Sequence, residues 1–243
     1  MKITFRKKVI LSFIAVIGIT GLSATVVGTK LIDKSIMPRI QDKVRVDLNS
    51  AREIVQGTMA DIQDIIRLTS TRFFLREAIL TNDINGLSAE LQNVRQQESL
   101  DIFSLTDAEG IVLLRTRNLK AKGDSQASNE LIKRVLSEKK AIASVEVLTK
   151  EDLAKESEKL VGRAYTKIIV TANSKSAHKE AEGYGMFIIA AAPILNDNGE
   201  ILGVLYGGKL LNHNNTIVDK IRDMIYENEK YNEKCWSSND FPE

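Results

Sequence analysis

The chain has 243 residues, of which 43% are apolar and 27% charged, with a formal net charge of +2. That length holds one membrane anchor and one ordinary domain of roughly 150–180 residues, and the composition is globular rather than disordered. The near-balance of charge excludes a strongly basic nucleic-acid binder, 5% aromatics argues against base-stacking platforms, and a single cysteine, Cys235, excludes an intramolecular disulfide.

The first element is residues 9–29, VILSFIAVIGITGLSATVVGT, 21 residues without a charge between Lys8 and Lys30. At about 1.5 Å per residue it is long enough to cross a hydrocarbon core of roughly 30 Å. Lys2, Arg6, Lys7 and Lys8 precede it with no acid among them, whereas Lys30, Asp33 and Lys34 after it are mixed in sign. The positive-inside bias makes residues 1–8 a cytoplasmic N-terminus and puts the chain from residue 30 outside. A cleaved secretory signal has a shorter apolar core and a small-x-small site after it. Here Leu22-Ser23-Ala24 lies inside the apolar run and no clean A-x-A follows. An uncleaved transmembrane helix of a single-pass inner-membrane protein is the expectation.

From residue 31 to about 80, glycine and proline occur only as Gly57 and Pro38. Leu48, Ala51, Ile54, Val55, Ile62, Ile65 and Ile66 recur at helical spacing, with charged residues filling most of the other face. The spacing predicts a long helix over 31–80, kinked or restarted at Pro38. Its apolar stripe serves either to cover a sheet or to form a dimer seam.

A second helix is predicted over 83–97, carried by Ile84, Leu87, Leu91 and Val94. The period then changes to that of strands at 100–105 (LDIFSL) and 110–117 (GIVLLRTR), joined through Thr106-Asp107-Ala108-Glu109-Gly110. Helices follow at 129–138 and 151–165, with a strand at 141–148 between them. Thr149, three residues before Asp152, starts a capping box. Two last strands, 184–195 and 200–210, flank the turn Asn196-Asp197-Asn198-Gly199. Residues 218–226 are briefly helical, and the tail NEKCWSSNDFPE reads as unstructured. Helices, hairpins and an antiparallel sheet give an α+β domain over 30–212, with a connector and tail over 213–243.

Chemistry-bearing motifs are few. His178-Lys179-Glu180-Ala181-Glu182 offers three metal-ligating side chains in a polar stretch with no second cluster, and it reads as a solvated loop. Cys235 has no second cysteine or helix start beside it. No glycine-rich phosphate loop is present, and NDNGE at 196–200 is a turn rather than a calcium loop. Neither a catalytic site, a resident metal nor a cofactor is expected.

In order behind the membrane helix and long helix come LTDAEGIVLLRTRN and KGD within 105–124, AAAPILNDNGEILGVLYGGKLLN at 190–212 and IVDKI at 217–221. The first is similar to the D-x-x-G-x-V-x-x-R hairpin, and the second resembles the closing P-I-x-x-x-x-G-x-I-x-G hairpin, of the Cache superfamily of extracytoplasmic sensor domains on bacterial chemoreceptors and sensor kinases. The resemblance implies a PAS-like sheet and a pocket over it for an amino acid, carboxylate or similar metabolite. It also implies a homodimer assembled through the long helix. Larger members continue from an element like residues 210–231 into a second module, a returning membrane helix, a HAMP linker and an output domain. A truncated receptor or a fragment is therefore expected here.

Six side chains are candidates to line such a pocket. Arg115 and Arg117 share one face of their strand by alternation, and Arg115 sits where the strand leaves the core. Its guanidinium either clamps a ligand carboxylate or pairs with an acid such as Asp124. Tyr184 and Tyr206 lie on the last two strands, as pocket residues or ordinary sheet tyrosines. Arg163 and Tyr165 end a predicted helix, where a cation also suits the helix C-terminus. The functional expectation is an extracytoplasmic small-molecule sensor of a chemoreceptor or sensor kinase. The competing one is a membrane-tethered protein that dimerises through the long helix and binds no ligand.

Overall fold

In the computed structural model, residues 5–31, 34, 36–168 and 181–226 are described. The chain divides into two compact units, Met1–Glu53 and Ile54–Glu243.

The first unit contains helix α1 (Phe5–Leu31) and the first residues of α2 (Met37–Ser70). Within α1 the stretch Lys8–Leu31 is the one helix among the described residues long and apolar enough to cross a membrane, and none of it is buried in the protein. Its five hydroxyl side chains all bond back to carbonyls one turn earlier: Ser12 to Val9, Thr20 to Val16, Ser23 to Ile19, Thr25 to Gly21 and Thr29 to Thr25, at 2.7–3.1 Å. Between Lys8 and Lys30 no hydroxyl is left needing water. α2 restarts at Met37 with Pro38 in its first turn, where a missing N–H costs nothing. Over 37–53 its apolar residues Ile40, Val44 and Leu48 are exposed.

The second unit is a five-stranded antiparallel sheet with helices on both faces. The strands are β1 (Ile102–Asp107), β2 (Val112–Arg115), β3 (Ile142–Leu148), β6 (Gly185–Leu195) and β7 (Ile201–Leu210), ordered β2-β1-β7-β6-β3. Alternation separates two cores. On one face Phe103, Leu105, Ile188, Ala190, Ala192 and Leu205 meet Ile62 and Ile66 of α2, Leu75 of α3 (Phe73–Thr81), and Leu87, Leu91 and Val94 of α4 (Ile84–Gln97). On the other, Phe187, Ile189, Ala191, Val204 and Tyr206 meet α5 (Glu130–Glu138), α6 (Lys150–Glu156) and α7 (Glu158–Ala164). Gln63 Nε2 donates to the carbonyl of Ala141 at 2.7 Å, fixing α2 to the start of β3.

Two predicted helices are divided. The helix expected over 31–80 ends at Ser70, and Arg72 is extended (φ −69°, ψ 136°) before α3 begins. Ser70 and Thr71 turn their hydroxyls onto the carbonyls of Arg67 and Leu68, and such back-bonding competes with helix continuation. The helix expected over 151–165 breaks at Ser157 (φ −172°, ψ 133°), whose hydroxyl accepts from Lys159 N–H and so starts α7. A two-stranded ribbon, β4 (Thr166–Lys167) with β5 (Ala181–Glu182), has no counterpart in the sequence reading. α8 (Asn215–Tyr226) closes the described chain. The run 178–180, Cys235 and the tail lie outside the described residues.

Candidate functional site

A polar row crosses the sheet on the α5–α7 face. Register pairs Arg115 with Ser104, Ser104 with Tyr206, Tyr206 with Ala191 and Ala191 with Ile142. One element of the row, Arg115, is among the most buried side chains of the protein, at 1% exposure. The sequence set it where the strand leaves the core. The structure corrects this, because two other segments close over it.

The first is the loop after β2. Val112 N–H donates to Asp124 O at 2.9 Å, Gly123 N–H returns to Val112 O at 2.8 Å, and Ile111 pairs with Ser125. The loop thus covers the edge of β2 and brings Asp124 onto the guanidinium: Nη1 to Oδ1 at 2.6 Å and Nη2 to Oδ2 at 2.9 Å. Gly110 permits the tight approach. Its φ is +81°, and a Cβ there would stand 3.1 Å from Ala127 N. The second segment is α6. Thr149 caps it by accepting from Asp152 N–H, and seven residues of helix carry Glu156 back over the sheet. Glu156 Oε1 accepts from Arg115 Nε at 2.9 Å and Tyr206 Oη at 3.1 Å, and Oε2 from Ser104 Oγ at 3.0 Å.

The network holds one cation between two carboxylates. Burial opposes the charge on Arg115, yet its bonds to Asp124 and the charge of Glu156 outweigh that and raise its pKa. The same guanidinium holds Asp124 below the ordinary aspartate range. Burial pushes Glu156 up despite Arg115, and burial, then the Glu156 charge, pushes Tyr206 well up. With Nη1 also donating to Ala121 O at 2.8 Å, Arg115 is committed to the protein. The pairing with Asp124 that the sequence offered is present, and Arg115 also stands in the lining of a cavity.

Above this network lies a cavity of about 300 Å³ between the sheet, α5 and α6. Ile102, Ile189, Leu131 and Ile132 give it apolar walls, and Arg115, Glu156 and Tyr206 a polar floor. Gln126, Asn129, Asp152 and Lys155 supply further polar lining. Lys155 Nζ stands 3.4 Å from Asp152 and 3.9 Å from Asp124, about half exposed. Small polar molecules fit a cleft of this size and mixed lining. Among the described residues no group of three metal-ligating acids, histidines or cysteines occurs.

The six sequence candidates divide among separate places. Arg115 and Tyr206 are floor residues of this cavity. Arg117 and Arg163 instead line a second cavity, where both face Asp101. β2 ends at Arg115, so the alternation that put Arg117 on the same face no longer applies. Tyr184, 44% exposed, borders a shallow apolar groove with Met186 and Val147. Tyr165 is 55% exposed, and its carbonyl lies 3.0 Å from His213 Nε2. Glu156, Asp152 and Lys155 were missed. They lie on one short polar helix, and only the break at Ser157 signals that its last residue points inward.

Residues 39–225 match the family dCache_3, described as the double sensory domain of two-component sensor kinase. No curated protein sequence matches the chain. Each of three similar solved structures shares 15% identity with it. The Vibrio cholerae histidine kinase DctB sensor domain superposes with a TM-score of 0.49, over 79% of this chain and 61% of that one. The periplasmic domain of Vibrio cholerae LuxQ gives 0.45, over 75% and 70%. The Escherichia coli DcuS sensor domain gives 0.43, over 70% and 99%.

Proposed function

The chain belongs to the dCache_3 family of sensory domains of two-component sensor kinases, and from that premise we propose that it is a membrane-anchored extracytoplasmic sensor whose ligand enters the cavity between the sheet, α5 and α6. The family is a class of sensory domain rather than of enzyme. The observation that carries the reading is the cleft of about 300 Å³ with apolar walls and a polar floor. α1 supplies the anchor, with the basic N-terminus in the cytoplasm and the sheet domain beyond the membrane.

The ligand is an amino acid, carboxylate or related metabolite, and the charges choose within that class. Arg115 and Lys155 face Asp124, Asp152 and Glu156. A bare dicarboxylate would enter a site already rich in negative charge, with its best guanidinium taken. A zwitterion meets Lys155 with its carboxylate and Asp152 with its ammonium group. The exposed stripe Ile40, Val44 and Leu48 on α2 fits a second copy of the same helix, giving a homodimer. That stripe also favours the second reading, a tethered protein that dimerises and takes no ligand.

Thermal unfolding of the full chain in phosphatidylcholine nanodiscs, against amino acids, monocarboxylates and dicarboxylates, separates the two readings. An amino acid at a hundredfold over its dissociation constant stabilises by about 2.7 kcal/mol. Lys155→Ala abolishes that response and barely moves the unliganded melting point, because its ion pairs are half exposed. No response from the wild type to any member of these classes, or a response that survives Lys155→Ala unchanged, contradicts the proposal.

A further inference from the structure

The second cavity, of about 700 Å³, opens where the end of α4, the start of β1, the end of β7 and the first turn of α8 converge. Five cationic side chains line it: Arg95, Arg117, Arg163, Lys209 and Lys220. Asp101 is the one carboxylate in the lining, and it is already committed. Its Oδ2 accepts Leu210 N–H at 2.9 Å, while Oδ1 faces Arg163 and, at 3.6 Å, Arg117. Among the described residues no carboxylate pairs with Arg95, Lys209 or Lys220.

Arg95 shows that the arrangement is incomplete. Among the described residues its buried Nε has no acceptor, and its guanidinium makes one hydrogen bond, a long one of 3.4 Å from Nη1 to Leu100 O. Burial and the neighbouring Arg117 push its pKa down, and the charge of Asp101 offsets this only in part. Leaving a charged donor unsatisfied is costly, and crowding like charges around it adds to that cost. Asn215, Thr216 and Ile217, the first turn of the 12-residue α8, line the same cavity and add free backbone N–H groups at the positive end of a helix dipole.

We propose that this cavity is a binding site for a phosphate group, held by Arg95, Lys209 and Lys220 with the first turn of α8. The excess of positive charge calls for a ligand carrying at least two negative charges, or one tetrahedral anion with several acceptor oxygens. A phosphate meets guanidinium forks, ammonium groups and a helix N-terminus together. The cavity volume leaves room for whatever bears the group, a soluble phosphorylated metabolite or an anionic lipid head.

The site shares no residue with the sensing cavity, so it stands or falls separately from the function proposed above. The test uses the full chain in phosphatidylcholine nanodiscs and inorganic pyrophosphate as the probe. Pyrophosphate raises the wild-type melting point. Lys209→Gln with Lys220→Gln weakens its binding at least tenfold while leaving the apo melting point unchanged or higher, since repulsion is relieved. Lys133→Gln with Arg134→Gln, the same loss of two positive charges at exposed positions of α5, leaves binding as in the wild type. In discs containing phosphatidylglycerol, loss of pyrophosphate affinity identifies a lipid head as the occupant, and unchanged affinity a soluble phosphate. Absence of pyrophosphate binding in phosphatidylcholine discs, or binding indifferent to the lysine substitutions, overturns the proposal.

Discussion

Arg115 lies at the centre of the polar floor of the proposed ligand cavity. It is 1% exposed and hydrogen-bonded to two carboxylates that arrive from different segments, Asp124 from a loop and Glu156 from α6. Removing one partner of such a pair leaves an uncompensated charge in the interior, whereas removing both restores neutrality. Arg115→Met therefore costs on the order of 3–5 kcal/mol. Arg115→Met combined with Glu156→Leu recovers most of that loss, because Asp124, 31% exposed, can be solvated where it stands. Unfolding of the two single variants and the double variant in detergent gives the coupling directly. Additive losses would mean that Arg115 and Glu156 act independently. Sequence showed the candidate acid Asp124, nine residues from Arg115, but not Glu156, which is brought in by tertiary packing. That is why Arg115 could be singled out without its role being decided.

At the level of elements, hairpins were more legible than helix ends. The turn at 196–200 follows from its composition. Asn196 Oδ1 accepts the N–H groups of Asn198 and Glu200, and Gly199 takes φ +76°. The Asp107 turn is built alike, with Oδ1 accepting from Glu109 and Ile111. The caps at Asp83, Asn129 and Thr149 also lie where polar residues precede apolar periodicity. Breaks at Arg72 and Ser157 were not visible, because neither involves glycine or proline and both depend on serine or threonine hydroxyls choosing local carbonyls or amides. The small residues of β7 have a definite cause. A Cβ on Gly208 would stand 2.3 Å from Ile188 O and 2.9 Å from Ile189 Cγ1, in the centre of the sheet. Gly208→Ala should destabilise by about 1–3 kcal/mol through overpacking, whereas Gly199→Asn, at an open turn with nothing near its Cβ, should cost little because asparagine accepts positive φ. Chemical denaturation of the pair checks the contrast, and equal losses would refute the close-packing explanation.

For the whole molecule, the order of the five strands of the main sheet followed from their patterning, and the α+β class and the family were legible from the membrane helix and two hairpin motifs. The cavity was not, since its lining comes from β1, β2, β3, β6, β7, α5, α6 and the loop between β2 and α5, and no sequence window contains them together. The apolar stripe of the long helix left two roles open, sheet cover and dimer seam. Its residues Ile62 and Ile66 are in the core, while Ile40, Val44 and Leu48 are exposed. The sensing role further requires that α1 stay in the bilayer and deliver the sheet domain to the outer side. The side chain of Lys133 on α5 is 66% exposed, and Cys235 is the only cysteine. Lys133→Cys in a Cys235→Ser background therefore reports on one defined site. A membrane-impermeant maleimide should label it in intact spheroplasts as fully as after lysis. Labelling that requires lysis would place the domain in the cytoplasm and contradict the account.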